Sequence, residues 1–481
     1  MIYQLEPIDV KQYAGNLLLL YGDEVPERSL PLSRKELDLV KARRGEKRDF
    51  LLSFDRLPYR LYLLSFDSER PMPECQEGLR RKMMDLLKRL ETDKADTLAI
   101  SGVGLLTEEM MAVVEGLTLA DYSFDRYRSK DAFHLDTLTI DSFFIKPAEL
   151  ESAQRLWNRI HWCREWVNLP VQDLNAPAFA DELASIAGDL QDVTCTVMDR
   201  KQIESLRMGG LLAVNRGSVD EPRFVVLEYS PKVRKAKKPI VLVGKGIMYD
   251  TGGLNIKPND YMQEMKSDMA GAATMASVLF AAADNRLPVH LVALLPLTDN
   301  RPGFNAYAAD DILTMYDGTT VEVVNTDAEG RLILADAIAY AACNYHPEII
   351  IDAATLTGAA VRAISTFGIA VMQQNADNPL TMLKLVGQQV YERLVEFPMW
   401  KEYDELIKSD IADLRNSSNT PQAGTITAGK FLAHFAKEVP FIHLDIAGVA
   451  YFSKPQHYYR TGASGYGIRL LYAFLQMQDM M

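Results

Sequence analysis

The segment at residues 325–332, Asn-Thr-Asp-Ala-Glu-Gly-Arg-Leu, constrains this chain most, because it sets two carboxylates and a guanidinium on alternate positions. It directly follows a β-like run at residues 319–324. Alternate residues of an extended chain share one face, whereas a helix would turn Glu329 away from Asp327. The spacing therefore predicts an extended strand-exit loop that directs Asp327, Glu329 and Arg331 into one cavity.

Helical spacing takes over after this loop, since Leu332, Ala335 and Ala339 fall on one face. The pattern leaves Arg331 near a helix N-terminus, where backbone N–H groups and the helix dipole favour an anion. The segment is thus predicted to offer ligands for cations and, next to them, a site for an anion.

A second segment with ligand chemistry lies upstream. Residues 238–243 predict a buried strand that runs into a glycine-containing loop at residues 244–258. The glycines allow sharp turns around Lys245, Asp250 and Lys257. A phosphate loop is excluded, because the Walker pattern requires Ser or Thr after the lysine and here Gly246 follows Lys245.

The acidic residues of the two segments suggest a metal site. Asp268 precedes a helix of small residues that is predicted to reach about residue 283, and a lone Asp there is more often a helix partner than a ligand. Each acid taken singly is equally compatible with a solvated loop or a structural ion pair. Four carboxylates in one cleft nevertheless require compensating charge, which two divalent cations would supply while activating a water molecule. The four acids are Asp250, Asp268, Asp327 and Glu329.

Ligand type leaves the metal open. Oxygen ligands admit Zn²⁺, Mn²⁺ or Mg²⁺, and Lys245 could add an amine ligand only in its neutral form, which would favour a transition metal. The seven histidines form no His-Glu-x-x-His pattern. A site of four carboxylates and one lysine predicts that absence.

With these motifs in place, the chain resembles the leucyl (cytosol) aminopeptidase family, a family of two-metal enzymes. The octapeptide at residues 325–332 is identical to the family signature, and the block at residues 243–273 is similar to the family's other metal-binding segment. The resemblance covers roughly residues 164–471. Further similar segments lie at residues 167–170, 215–218, 354–359, 431–432, 443–448 and 465–471.

The resemblance implies a role for each residue of the site. Lys245, Asp250, Asp268 and Glu329 would hold the tighter metal, and Asp250, Asp327 and Glu329 the more exchangeable one, for which Zn or Mn, or Mg at the exchangeable site, are the candidates. Arg331 would hold a bicarbonate ion that acts as general base, and Lys257 would steady the developing gem-diolate. This division agrees with the charges, and no side chain is otherwise placed as the base.

The resemblance also implies the substrate and the assembly. The expected function is release of a Leu-like or Met-like N-terminal residue from peptide substrates by a homo-hexamer. Five mostly apolar positions would line the pocket for that residue, although each of them alone would be interpreted as core. These positions are Met265, Thr355, Leu356, Gly358 and Ala447.

The chain is predicted to be an α/β protein of two domains. Residues 1–150 predict a smaller N-terminal α/β domain, residues 151–170 a linker helix, and residues 171–481 a larger catalytic domain. In the latter, a central sheet flanked by helices is predicted from alternating strands and helices. The predicted strands lie at residues 224–229, 239–243, 288–295, 319–324 and 348–352.

Composition limits the other functions. A net charge of −13 argues against a nucleic-acid surface, and the basic run at residues 232–238 is interpreted as a solvated loop. Four widely spaced cysteines are expected to be reduced packing residues, and the chain is predicted to be cytoplasmic with no membrane span. Two alternatives stay open. One is a DNA-binding or architectural protein with secondary peptidase activity, and the other is a structural hexamer whose site has decayed.

Overall fold

The computed structural model describes residues 1–22, 29–130, 132–234, 238–418 and 420–480, without the side chains of residues 478–480. Its contacts divide the chain into two compact units. The first comprises residues 1–157 and 453–461, and the second comprises residues 158–452 and 462–481. The prediction of a two-domain α/β fold is confirmed. The boundaries drawn at residues 150 and 170 stay a prediction, and the contacts place the division between Trp157 and Asn158.

The first unit is built on a six-stranded sheet in the order β1-β6-β5-β2-β4-β3. All neighbouring strands are parallel except β3 and β4. Strand β2 is buried along its whole length, which explains its unbroken apolar run. The strands are β1 Ile2–Glu6, β2 Leu17–Gly22, β3 Phe50–Arg56, β4 Tyr59–Phe66, β5 Thr97–Val103 and β6 Thr137–Asp141, and the helices are α1 Arg34–Glu46, α2 Met72–Asp93 and α3 Thr107–Asp121.

Helix α4, Pro147–Asn168, contains the division between the two units. It matches the long helix predicted for this stretch, whose role as a linker stays a prediction. Trp157 is buried, whereas Trp162 is 42% exposed and lies under the Arg159 guanidinium at 4.7 Å. Trp162 therefore contributes less to the core than Trp157 does.

The second unit contains a nine-stranded sheet and ten further helices among the residues that the structure describes. The helices are α5 Ala176–Gly188, α6 Arg200–Ser205, α7 Gly209–Asn215, α8 Asn259–Met262, α9 Ala270–Asp284, α10 Gly330–Asn344, α11 Gly358–Ile364, α12 Asp377–Gln389, α13 Gly424–Ala436 and α14 Ile468–Met480, with 3₁₀ helices at Met265–Met269 and Lys401–Ile407. The strands are β7 Val193–Met198, β8 Arg223–Tyr229, β9 Ile240–Gly244, β10 Gly246–Asp250, β11 Leu291–Asn300, β12 Ile312–Thr314, β13 Thr320–Glu322, β14 Ile349–Ala354, β15 Ile369–Gln374, β16 Leu394–Glu396, β17 Leu414–Arg415, β18 Phe441–Asp445, β19 Tyr451–Phe452 and β20 Gly462–Ala463.

The order of the large sheet brings three loops to one edge. Its strands run β16-β15-β18-β14-β9-β11-β8-β7, and β10 pairs with β11. Strands β9, β14 and β18 are neighbours and parallel, so their carboxyl ends meet at the same edge. Lys245 follows β9 directly, Thr355 follows β14, and Asp445 ends β18. Residues distant in the sequence are thus placed side by side.

One predicted strand lies elsewhere. The strand expected at residues 319–324 is β13, which pairs with β12 and β17 in a separate three-stranded sheet and not in the central one. Residues 323–329 lead from β13 into helix α10. The other four predicted strands, near β8, β9, β11 and β14, all belong to the large sheet. An apolar run predicts that a strand forms, but it does not indicate which other strand it pairs with.

Three sequence expectations concern the remaining surface and core. All four cysteines are free, but Cys343 is exposed and only Cys75 and Cys163 are buried, so the packing role predicted for Cys343 is wrong. No described helix combines the length and apolar character that a membrane crossing requires. Residues 235–237 of the basic run lie outside the described residues.

Candidate metal centre

The first half of the site surrounds the ammonium group of Lys245. Its Nζ lies 2.8 Å from Asp268 Oδ2 and 2.9 Å from Glu329 Oε1, and it donates to the Thr355 carbonyl at 3.0 Å. Thr355 Oγ1 in turn donates to Asp268 Oδ1 at 2.7 Å. Lys245, Asp268 and Glu329 are each at least 95% buried. The structure thus joins three predicted ligands and one predicted pocket residue.

The second half surrounds Lys257. Its Nζ lies 2.7 Å from Asp250 Oδ2 and 2.6 Å from Asp327 Oδ1. Asp250 is buried, whereas a third of the Asp327 side chain is exposed, so this half is the more open of the two.

The carboxylates are close enough to share cations. One ligand oxygen from each of Asp250, Asp327 and Glu329 lies within 4.8 Å of the others. Glu329 Oε2 is buried and accepts no hydrogen bond within the described part of the chain. Burial and the charge of Asp250 raise the pKa of Glu329, and the same two causes raise the pKa of Asp327. Burial and mutual repulsion therefore disfavour the ionised forms of these carboxyl groups.

The two lysines compensate half of the charge that the four carboxyl groups carry when ionised. Burial alone would lower the pKa of Lys245, but Asp268, Glu329 and Asp250 outweigh it and raise that pKa. The pKa of Lys257 is raised in the same way, with burial opposed chiefly by Asp250. Without a bound cation, both lysines are therefore ammonium ions among four carboxyl groups, and full ionisation of those four groups would leave two negative charges uncompensated. This is the charge that cations at the site would neutralise.

The loop between β13 and α10 does not have the extended conformation that was predicted for Asp327, Glu329 and Arg331. Asp327 lies in a turn, closed by its own N–H donating to Asn325 Oδ1 at 2.8 Å. Glu329 already has helical dihedral angles, and Arg331 is the second residue of α10. The extended alternation is therefore wrong beyond the turn. The helix prediction is confirmed, since Leu332, Ala335 and Ala339 are fully buried.

Arg331 is a buried cation with spare hydrogen-bonding capacity. Its Nη1 donates to the carbonyl of Asn416 at 2.9 Å, and its buried Nε has no hydrogen-bond partner among the described residues. No described carboxylate lies within ion-pair distance of it, and burial lowers the pKa of Arg331 to about 10. A small anion would satisfy both the charge and the free donor.

Two residues important for this geometry escaped the sequence analysis. Asn416 Oδ1 accepts from Val324 N at 2.8 Å, and its Nδ2 donates to the Asn325 carbonyl at 2.8 Å, which fixes the entry to the ligand loop. A Cβ at Gly330 would lie 2.4 Å from Lys245 Cε, so only glycine leaves room for that lysine. No sequence motif marks Asn416 as part of the site, whereas Gly330 belongs to the octapeptide at residues 325–332 and could have been found there.

Asp445 joins two stretches of the predicted pocket wall. Its Oδ1 accepts from Leu356 N and from Ala447 N, both at 3.2 Å, and its Oδ2 accepts from Thr357 Oγ1 at 2.6 Å. Leu356 and Ala447 are partly exposed. Met265 lies in the 3₁₀ turn that contains Asp268, and Gly358 is the exposed first residue of α11. No hydrogen bond between described residues ties Met265 or Gly358 to this wall.

Residues 161–472 match the cytosol aminopeptidase family, catalytic domain. The chain belongs to the cytosol aminopeptidase family. A probable cytosol aminopeptidase of Syntrophotalea carbinolica is 42% identical over 78% of this chain and 76% of its own length. Another, from Chlorobaculum parvum, is 38% identical over 97% of this chain and 94% of its own length.

Solved structures agree with this membership. A mutant of tomato leucine aminopeptidase is similar with a TM-score of 0.87 and 27% identity, over 99% of this chain and 96% of that one. The bottromycin maturation enzyme BotP in complex with Mn has a TM-score of 0.85 and 28% identity, over 97% of this chain and 100% of that one. The predicted family is confirmed, and the protein is a metal-dependent aminopeptidase of the hydrolase class.

Proposed function

We propose that this aminopeptidase uses two divalent cations to release an apolar N-terminal residue, Leu-like or Met-like, from peptides. The observation that carries the proposal is the convergence of four carboxyl groups and only two lysines on one cluster. Lys245, Asp250, Asp268 and Glu329 would hold the tighter ion, and Asp250, Asp327 and Glu329 the exchangeable one.

The donor set fits such ions. The buried Glu329 Oε2 has no donor among the described residues, and the atoms of the three-acid group lie at distances that one ion or two adjacent ions can span. Mn or Zn suits this set of oxygens and an amine, which Lys245 would offer once a dication beside it displaces the proton of its ammonium group, and Mg suits the all-carboxylate half. Bound there, divalent cations would lower the pKa of a water molecule and polarise the scissile carbonyl.

The cationic side chains would divide the remaining work. Lys257 projects between Asp250 and Asp327, where its ammonium would stabilise negative charge developing on the carbonyl oxygen. Arg331 would bind bicarbonate as the general base, a role supported by its free Nε and by the absence of a paired carboxylate among the described residues. A positioned base of this kind typically contributes roughly 10²- to 10⁴-fold.

The substrate preference follows from the pocket wall. Leu356 packs against an apolar core cluster and is partly exposed beside Thr355, whose hydroxyl contacts Asp268. Ala447 is tied to Leu356 through Asp445. We propose that these residues, with Met265 and Gly358, receive an aliphatic side chain whose free amine binds at the tighter site. On the basis of the family resemblance, we also propose that the protein forms a homo-hexamer and is located in the cytoplasm.

The deciding experiment compares Leu-amide with N-acetyl-Leu-amide on Mn²⁺-loaded protein. A substrate amine that binds a cation needs its lone pair, which acetylation removes, so the acetylated substrate should show negligible kcat/KM. The kcat/KM values for Leu-amide and Met-amide should exceed those for Asp-amide and Lys-amide. Comparable cleavage of free and acetylated substrates would contradict amine binding and indicate an endopeptidase or amidase.

A further inference from the structure

Asn300 contacts both ligand-bearing segments of the site. It is the last residue of β11, it is fully buried, and it lies opposite Asp250 in the β10–β11 pair. Its Nδ2 donates to Asp250 Oδ1 at 2.9 Å and to the Thr326 carbonyl at 3.0 Å. A single amide thus links a proposed bridging ligand to the residue preceding Asp327.

This contact determines how the Asp250 carboxylate is oriented. Oδ1 accepts two hydrogen bonds, from Asn300 Nδ2 and from Gly252 N at 2.9 Å. Oδ2 is the atom that contacts Lys257, so it faces the cationic side of the cluster. The two donors hold Oδ1 towards the backbone and leave Oδ2 available for cations.

The orientation of the Asn300 amide is fixed by chemistry. Both groups next to Nδ2 are acceptors, so an oxygen in its place would face two oxygens without a proton between them. The buried Oδ1 of Asn300 accepts no hydrogen bond from a described residue. Only the donor half of the amide is used, so both contacts require a neutral donor at this position.

We propose that Asn300 is a positioning residue that sets the affinity of the dimetal site, by locking the Asp250 carboxylate and tethering it to the loop that carries Asp327. The inference rests on the proposed function, because it takes Asp250 and Asp327 as metal ligands. Partners that orient a metal ligand typically change metal affinity by roughly 10- to 100-fold when they are removed.

The test is a Mn²⁺ titration of the full chain, with free Mn²⁺ followed by electron paramagnetic resonance. Asn300→Leu keeps the approximate volume but removes the donor, and it should weaken Mn²⁺ binding by roughly 10- to 100-fold. Asn300→Asp keeps the shape but sets a carboxylate against Asp250, and it should weaken binding at least as much. Tyr307→Phe is the matched control, because the Tyr307 hydroxyl donates to the same Thr326 carbonyl at 2.6 Å without contacting Asp250.

The outcomes separate the inference from the function. Affinity retained by Tyr307→Phe and lost by Asn300→Leu supports the role of Asn300, whereas equal losses in both would assign the effect to Thr326 and overturn it. Unchanged affinity in Asn300→Leu also overturns it. If circular dichroism shows that Asn300→Leu does not fold, Asn300→Ala replaces it and should weaken Mn²⁺ binding in the same way. A wild type that binds no Mn²⁺ would instead contradict the proposed function.

Discussion

At the residue scale, the centre depends on lysines that each contact two carboxylates. Lys245 pairs with Asp268 and Glu329, and Lys257 pairs with Asp250 and Asp327. Four negative groups can occupy one buried cluster only with such compensation. Removal of one acid would therefore change both the number of proposed ligands and the charge balance, whereas removal of Arg331 should leave the proposed ligands in place.

We predict that Asp327→Ala and Glu329→Ala abolish turnover and lower the amount of bound metal, because each removes a ligand oxygen. Metal content by mass spectrometry and hydrolysis of Leu-amide provide the measurements. Asp260→Ala is the control, since it removes an exposed carboxylate from the neighbouring stretch. Near-normal turnover of either ligand variant in a metal-replete assay would refute the assignment.

Arg331→Ala should retain both metals and yet slow the reaction by roughly 10²- to 10⁴-fold, because the guanidinium is proposed to hold the base and not an ion. Steady-state rates should be measured with and without added bicarbonate after its depletion. Bicarbonate should stimulate the wild type more than the variant. Loss of metal at an unchanged rate per occupied site would contradict this role.

At the element scale, two helices are held by buried carboxylates. Glu392 accepts from Gly467 N at 2.9 Å and Leu470 N at 3.0 Å at the start of α14, and from Arg469 Nε at 3.1 Å. Asp336 on α10 accepts from Leu211 N at 2.9 Å and from Tyr316 N at 2.8 Å. Both carboxylates connect a helix to a segment distant in sequence.

Glu392→Ala should destabilise the second unit by about 3–5 kcal/mol, because it removes a partner of the buried Arg469 charge together with the oxygen that accepts from two N–H groups at the start of α14. Glu396→Ala is the contrasting variant. It breaks the exposed Lys384–Glu396 pair and should cost about 1 kcal/mol or less. Urea unfolding followed by fluorescence compares the two, and equal midpoint shifts would disprove the distinction.

Asp336 predicts a pH dependence of stability. Burial raises the pKa of Asp336 to about 7, so between its ordinary pKa and that value the folded chain binds more protons than the unfolded chain. Stability from this group therefore falls as pH rises through that window. Asp336→Asn should remove this component, so the stabilities of wild type and variant should diverge between about pH 4 and pH 7. Parallel stability curves would contradict the prediction.

At the scale of the whole molecule, all proposed ligands come from the second unit, between Lys245 and Glu329. Ions that bind there would connect the loop after β9 and the 3₁₀ turn before α9 to the start of α10. Binding to the folded state alone adds about 2.7 kcal/mol of stability at a free metal concentration one hundred times Kd.

Removal of metal with a chelator should therefore lower the thermal midpoint, and added Mn²⁺ should restore it. Hydrogen exchange should show metal-dependent protection at residues 245–268 and 325–331 and no change in strand β2 of the first unit. Equal changes in both units would indicate that the ions act away from the proposed site.

The sequence by itself determined the type of chemistry and most of the elements. The acids and lysines lie within two short motifs, and alternating apolar runs predicted four strands of the large sheet and helices α4, α9 and α10. Those features depend on local periodicity and composition, which a chain carries without its fold. The extended form predicted for residues 327–331 failed because Asp327 N donates to Asn325 Oδ1 and closes a turn there.

Only the tertiary structure decided which groups meet. Lys245 pairs with Glu329, and β13 lies in a sheet separate from the large one. The contacts of three further residues also join parts of the chain that are far apart in sequence, namely those of Asn300, Asn416 and Asp445. Such contacts form because strand order brings loop ends to one edge and because buried polar groups must find partners there. The spacing of neighbouring residues does not contain either condition, so the sequence was enough to propose the ligands and not enough to predict the groups that contact them.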